Sequence, residues 1–168
     1  LYCGRLYPYY YDDARQNRIF FGTGQVFVEM TDERLPAAED ASQRVLADDL
    51  NGDGLLDLLV GNLGTAHLYL QNPVDHSFSD VSASHVVELP AGDQVDLAVA
   101  DFNGDGLPDA SIADFGNRVW YLANTGGGVL ERMDVLPDYK SSDAISCVEA
   151  GDFDGDGRTD LFVGSYGD

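Results

Sequence analysis

The chain has 168 residues, enough to bury a hydrophobic core as a single domain. Its 30 Asp and Glu residues outnumber its 9 Lys and Arg residues, which gives a formal net charge of −21. We therefore expect no nucleic-acid partner, because phosphate binding requires clustered basic side chains. We also expect no membrane span, because no apolar run reaches the roughly 18 residues that a spanning helix needs.

The chain opens with a segment that resembles its own last residues. Residues 1–8 align with residues 161–168 and with the apolar run that begins at residue 58. We therefore expect the sequence to be a piece of a longer repeat protein. Residues 7–16 are rich in tyrosine, have no counterpart of equal length, and are predicted to form an enlarged loop. Tyrosine rings suit contact with a partner or sugar as well as packing against a neighbouring repeat, and both roles stay open.

Pairs of short β-like segments recur along the rest of the chain, each pair separated by turn residues. The pairs are 17–22 with 25–30, 67–70 with 78–81, and 118–122 with 129–133. Three further strands are predicted at 44–47, 95–100 and 145–150, each immediately before an Asp- and Gly-rich segment. Helical periodicity is weak, and the one helical turn we expect lies at residues 36–42.

The Asp- and Gly-rich segments share one pattern, and we call them loop 1 (49–57), loop 2 (101–109) and loop 3 (152–160). Their first aspartates are 52 and then 51 residues apart, and each loop runs into a short β-like segment. One motif at a fixed period near 50 residues is typical of a repeat architecture.

Each loop carries side-chain oxygens at its positions 1, 3, 5 and 9, and position 7 can add its backbone carbonyl. Ca²⁺ takes about six to eight oxygen ligands at roughly 2.3–2.6 Å, which suits this set. Glycines at positions 4 and 6 permit the tight curl, and three copies in register favour a metal site over an acidic turn that binds nothing. We therefore predict about three Ca²⁺ ions. The predicted ligands are Asp49, Asn51, Asp53, Leu55 and Asp57; Asp101, Asn103, Asp105, Leu107 and Asp109; and Asp152, Asp154, Asp156, Arg158 and Asp160.

These loops differ from EF-hands, which need a bidentate Glu at position 12 and flanking helices. Position 12 is Val60, Ile112 or Val163, and each lies within a β-like run. The pattern predicts a strand–loop–strand site in which the loop joins the first strand of a repeat to the second.

Four short strands in each period of about 50 residues are typical of a β-propeller blade. The predicted fold is therefore all-β, a partial β-propeller of about three four-stranded blades. The blade parts are approximately 1–42, 43–93, 94–143 and 144–168. Because propellers typically have about four to eight blades, we expect the other blades to come from the same or another chain.

Loop 3 and the run that follows it, residues 152–164, resemble the calcium loops of FG-GAP/VCBS repeats, including those of the integrin α-subunit propeller. Residues 17–20 and 117–121 are similar to the third strand of such repeats. The resemblance implies an extracellular or cell-surface propeller with Ca²⁺ in its loops, used for adhesion or ligand binding. Two departures concern the second repeat, where residues 108–111 weaken the apolar run and Ala113 replaces a glycine.

Several functions fit this interpretation. The first is a non-catalytic binding or adhesion module with structural Ca²⁺ and a protein or glycan ligand. The second is a structural subunit that assembles through open blade edges into a ring or filament. The third is carbohydrate recognition by Trp120 or the tyrosine-rich loop, although core packing is the favoured role for Trp120. Catalysis is not expected, and neither is a disulfide between Cys3 and Cys147, which belong to repeats three periods apart.

Overall fold

The computed structural model describes residues 15–88, 92–114, 118–133 and 144–166. These residues form fifteen β-strands and two four-residue helices. The strands are β1 (Arg15–Gln16), β2 (Phe20–Gly22), β3 (Phe27–Glu29), β4 (Glu39–Asp40), β5 (Ser42–Asp48), β6 (Asp57–Gly64), β7 (His67–Gln71), β8 (Phe78–Asp80), β9 (Val86–Val87), β10 (Gly92–Ala100), β11 (Asp109–Asp114), β12 (Arg118–Asn124), β13 (Leu130–Met133), β14 (Ala144–Gly151) and β15 (Asp160–Tyr166). The helices are α1 (Thr31–Arg34) and α2 (Ser82–His85).

Two complete antiparallel blades lie at the centre of the described chain. Strands β5 to β8 pair in sequence order and form the first blade, and β10 to β13 do the same in the second. The two blades meet where Gly92 and Asp93 of β10 pair with Gly64 and Leu63 of β6. Strand β9 crosses from the first blade and pairs in parallel with β13, the outer strand of the second.

Two isolated hairpins flank the blades. Strands β2 and β3 form one two-stranded sheet, and β14 and β15 form another. Loops 1, 2 and 3 join β5 to β6, β10 to β11 and β14 to β15, so the predicted strand–loop–strand arrangement is confirmed. The all-β, partial β-propeller fold is likewise confirmed.

The hydrophobic core consists of apolar layers between successive strand groups. The first layer joins Leu59 and Leu68 of the first blade to Leu97 and Ile112 of the second, all of them buried. Each such side chain contributes about 1.5–3 kcal/mol when it leaves water. A second layer joins the second blade to β14–β15, and a third joins the first blade to residues just outside β2 and α1.

The departures in the second repeat do not interrupt its second strand. All six residues of β11 are buried, and Ala110, Ile112 and Ala113 are fully enclosed. Because apolar layers cover both faces of β11, small side chains are suited to this position.

The expected helical turn at residues 36–42 is wrong. Leu35 precedes a proline and is extended (φ −103°, ψ 144°), as the proline ring requires of its neighbour. The helical turns lie instead at α1 and α2, one period apart. Thr31 Oγ1 accepts a hydrogen bond from Ile19 N at 3.2 Å, and Ser82 Oγ accepts one from Leu68 N at 2.9 Å, so the two turns are equivalent.

One residue position on the first strand of each repeat lies next to the neighbouring repeat. Arg44, Asp96 and Cys147 are equivalent, because they pair with Gly61, Ala113 and Gly164, and each follows a register shift. Arg44 Nε lies 3.2 Å from Asp96 Oδ1, and Asp96 Oδ2 accepts a hydrogen bond from Val148 N at 3.1 Å. These contacts connect the first strands of three successive repeats.

Some predictions concern residues outside the described ranges. They are the predictions for residues 1–14, which include Cys3 and most of the tyrosine-rich segment, and the prediction for residue 117. No helix in the described ranges is long and apolar enough to cross a membrane.

Candidate metal loops

The first aspartate closes the curl of each loop. In loop 1, Asp49 Oδ1 accepts hydrogen bonds from the backbone N–H groups of Gly52 (2.8 Å) and Asp53 (3.0 Å), and its Oδ2 accepts one from Gly54 (2.8 Å). The corresponding distances are 2.7, 3.1 and 2.9 Å in loop 2 and again in loop 3. The three loops therefore share one conformation.

Glycine is required at positions 4 and 6 of each loop. The backbone φ at these positions lies between +79° and +88°, a region that side-chain-bearing residues rarely adopt. The six glycines are Gly52, Gly54, Gly104, Gly106, Gly155 and Gly157.

The side chains at positions 3 and 5 each use one oxygen to fix the loop backbone. The position-3 Oδ1 accepts a hydrogen bond from the position-5 N–H at 2.9, 2.8 and 3.0 Å in loops 1 to 3. The position-5 Oδ1 accepts one from the position-7 N–H at 2.9 Å in all three. The second oxygen of the position-5 carboxylate is therefore free of backbone donors in each loop.

Loop 3 gathers three carboxylates. One oxygen each from Asp152, Asp154 and Asp156 lies within 4.8 Å of the others, and all three residues are exposed. Two oxygens that share one Ca²⁺ are at most about 5 Å apart, so this spacing and this all-oxygen donor set fit a hard cation. In loops 1 and 2 the middle position holds Asn51 or Asn103, which supplies a neutral oxygen instead.

The position-9 aspartate points into the protein. Asp57 is fully buried, and its Oδ2 accepts hydrogen bonds from Leu50 N (3.0 Å) and Asn51 N (3.2 Å). Its Oδ1 accepts one from Gln71 N on β7 at 2.9 Å. Asp57 therefore ties the start of loop 1 to the second and third strands of the first blade. Burial raises the pKa of the Asp57 carboxyl, although these backbone hydrogen bonds act in the opposite direction.

Loop 2 has the same internal tie. Asp109 is fully buried, and its Oδ2 accepts hydrogen bonds from Phe102 N (3.1 Å) and the Tyr121 hydroxyl (2.9 Å). Its Oδ1 accepts one from Asn124 N on β12 at 2.8 Å. Burial of the phenol, and its contact with Asp109, raise the pKa of Tyr121. In loop 3, Asp160 Oδ2 accepts the equivalent bond from position 2 of the loop at 3.0 Å.

The structure thus separates the predicted ligands into two groups. The side chains at positions 1, 3 and 5 are exposed or half-buried, and the loop backbone closes around the position-1 carboxylate. In loops 1 and 2 the position-9 side chain is buried against the sheet, a structural role that the sequence pattern did not predict. The ligand role of position 9 and of the carbonyls of Leu55, Leu107 and Arg158 stays a prediction.

A buried amide connects loop 1 to the neighbouring blade. Asn124 Nδ2 donates to the carbonyls of Leu50 (2.8 Å) and Pro108 (3.0 Å), so one side chain holds loops 1 and 2 together. No sequence motif predicts this role of Asn124. The available signal is the place of Asn124 just after the predicted strand 118–122, at the end of β12.

Four-stranded antiparallel units that stack through apolar layers, each with an Asp- and Gly-rich loop between its first two strands, define a propeller-type repeat module. A family model described as FG-GAP-like repeat matches residues 49–111 and again residues 101–163. Together these matches cover more than half of the sequence, and the chain belongs to the FG-GAP-like repeat family. Comparison with curated proteins gives no match.

Proposed function

We propose that this protein is a non-catalytic, extracellular or cell-surface propeller module that binds Ca²⁺ in its three loops and recognises a protein or glycan ligand. The observation that carries the proposal is the shared geometry of the loops. All three fix positions 1, 3 and 5 through the same backbone hydrogen bonds and differ by at most about 0.2 Å in those distances.

The role of the cation is structural. Loop 3 brings three carboxylates together, and their mutual repulsion favours the unfolded chain unless a cation neutralises it. Because such a site forms only when the loop is folded, the free energy of Ca²⁺ binding stabilises the fold. In loop 1 this stabilisation extends to the second blade through the hydrogen bond from Asn124 to Leu50.

Calcium titration with thermal unfolding tests the proposal. We expect about three bound Ca²⁺ ions by calorimetry, a lower melting temperature in excess chelator, and recovery when Ca²⁺ is restored. Asp156→Ala is expected to remove one site and leave two. A melting temperature that chelator does not change, together with no calorimetric signal, would contradict calcium binding.

A second candidate, assembly through open blade faces, is favoured by exposed aromatic residues on the β14–β15 hairpin. Phe153 and Phe162 are 60% and 56% exposed and form an edge-to-face pair. Their equivalents in the first blade, Leu50 and Leu59, are 1% and 0% exposed because the next blade covers them. The hairpin therefore presents a surface of the kind that a blade covers elsewhere in the molecule.

The carbohydrate alternative gains no support from Trp120. Its ring packs at the margin of the first apolar layer, and its Nε1 donates to Asp114 Oδ2 at 2.7 Å. The guanidinium groups of Arg118 and Arg132 lie 5.4 and 5.2 Å from the ring centre. These contacts suit a packing role, which the sequence favoured.

A further inference from the structure

The three loops differ in what occupies the second oxygen of the position-5 carboxylate. In loop 1 this oxygen accepts a hydrogen bond from Asn51 Nδ2 at 3.1 Å, and in loop 2 from Asn103 Nδ2 at 2.9 Å. In loop 3 the middle residue is Asp154, which has no amide to donate. There the same oxygen of Asp156 lies 2.9 Å from Arg158 Nη2.

Arg158 replaces a leucine at this position. Leu55 and Leu107 occupy position 7 of loops 1 and 2, and neither can reach across the loop with a charge. The Arg158 side chain is 83% exposed, so it is free to move away from Asp156 without loss of core packing. Loop 3 therefore combines the largest number of carboxylates with a mobile positive charge of its own.

We propose that Arg158 competes with the cation at loop 3 and thereby lowers the Ca²⁺ affinity of that loop. The inference rests on the proposed calcium binding. When no cation is bound, the guanidinium neutralises part of the repulsion among Asp152, Asp154 and Asp156. When a cation binds, the guanidinium must release the Asp156 oxygen, and the free energy of that ion pair is subtracted from the binding free energy.

The expected effect is small because the ion pair is exposed. Exposed ion pairs of this kind correspond to an affinity change of about 1.5- to 5-fold. Removal of the Arg158 charge is expected to raise the Ca²⁺ affinity of loop 3, whereas removal of a carboxylate is expected to lower it, since the number of ligand charges tunes the affinity of calcium loops.

The test measures loop 3 alone in the full chain. Asp53→Ala and Asp105→Ala weaken loops 1 and 2, and Arg158→Leu is then compared with Arg158 in that background by calorimetry and by terbium luminescence. Arg158→Leu keeps the backbone carbonyl and reproduces the residue of the other loops. We expect Ca²⁺ affinity to rise about 1.5- to 5-fold, with a smaller rise at high salt because salt already screens the ion pair.

A matched control introduces an arginine at position 7 of a loop that has a leucine there. Leu107→Arg, in a background that keeps only loop 2, is expected to lower its Ca²⁺ affinity, and Asp154→Asn in loop 3 is expected to do the same. Thermal unfolding in chelator verifies that each variant is folded. Unchanged or weaker binding in Arg158→Leu overturns this inference alone, whereas no Ca²⁺ binding by the wild-type chain overturns the proposed function as well.

Discussion

Identical residue types serve two purposes within one loop. The exposed loop backbone curls around the Asp49 carboxylate, which accepts hydrogen bonds from its N–H groups. Asp57, eight positions later, is buried and accepts a hydrogen bond from the third strand of the blade. The difference arises from location, because Asp57 opens β6 and its side chain points to the covered side of the blade. Similarly, Asn in place of Asp at position 3 exchanges a charge for an amide donor within the same backbone geometry.

Gly104→Ala tests the conformational requirement of the curl. The φ of Gly104 is +79°, and no atom lies within 4 Å of the position that a β-carbon would take, so backbone strain is the main cost. We expect a loss of about 1–2 kcal/mol in unfolding free energy, measured by urea denaturation in chelator. Gly92→Ala in the same blade, where φ is not positive and contacts are ordinary, is the control. Equal losses in both variants would argue against the required positive φ.

At the scale of elements, the position-9 aspartate connects the loop, the second strand and the third strand of a blade through hydrogen bonds. In the second blade a single carboxylate accepts hydrogen bonds from Phe102, Tyr121 and Asn124, which belong to loop 2 and β12. Such a shared acceptor is costly to replace, because loss of one oxygen leaves buried donors unpaired.

Asp109→Asn is therefore expected to destabilise the protein by about 2–4 kcal/mol even without calcium. The amide offers one acceptor oxygen and brings two donors toward groups that already donate. Urea denaturation in excess chelator measures this cost apart from any ligand role. Asp105→Asn, at an exposed position of the same loop, is expected to cost far less under the same conditions. A similar cost for both variants would show that burial of Asp109 is unimportant.

The whole molecule is a row of layers, each of which belongs to two successive strand groups. Leu59 and Leu68 are enclosed only because Leu97 and Ile112 of the next blade lie against them. At the C-terminal end of the described chain, Phe162 occupies the position equivalent to Leu59 and is exposed. Phe20 and Phe27 of the β2–β3 hairpin are exposed as well.

We expect the 168-residue chain to self-associate in a concentration-dependent way, measured by light scattering coupled to size-exclusion chromatography. Phe162→Ser, which installs the residue found at the equivalent Ser111, is expected to reduce association because it removes exposed apolar area. Val74→Ser removes an exposed apolar side chain from a turn in the first blade and serves as the control. A wild-type chain that stays monomeric at high concentration would contradict assembly through this face.

Local spacing was sufficient to predict the loops and most strands, since alternation, turn glycines and a period of about 50 residues are all readable along the chain. It could not predict which carboxylates are buried, because the burial of Asp57 and Asp109 depends on strands that lie 14 and 15 residues away. Nor could it predict the link from Asn124 to Leu50, which spans 74 residues. The turn at α1 was missed because its stabilising hydrogen bond, from Ile19 N to Thr31 Oγ1, comes from a residue 12 positions earlier in the chain.

The layered arrangement also determines which part of the molecule unfolds locally first. Each central blade is held from two sides, whereas the β2–β3 and β14–β15 hairpins each have a single neighbour among the described strands. Fraying should therefore begin at the two flanking hairpins and travel inward, as in a one-dimensional array whose units depend on the units beside them. Amide hydrogens of β6 and β11 would then be the last to exchange with solvent.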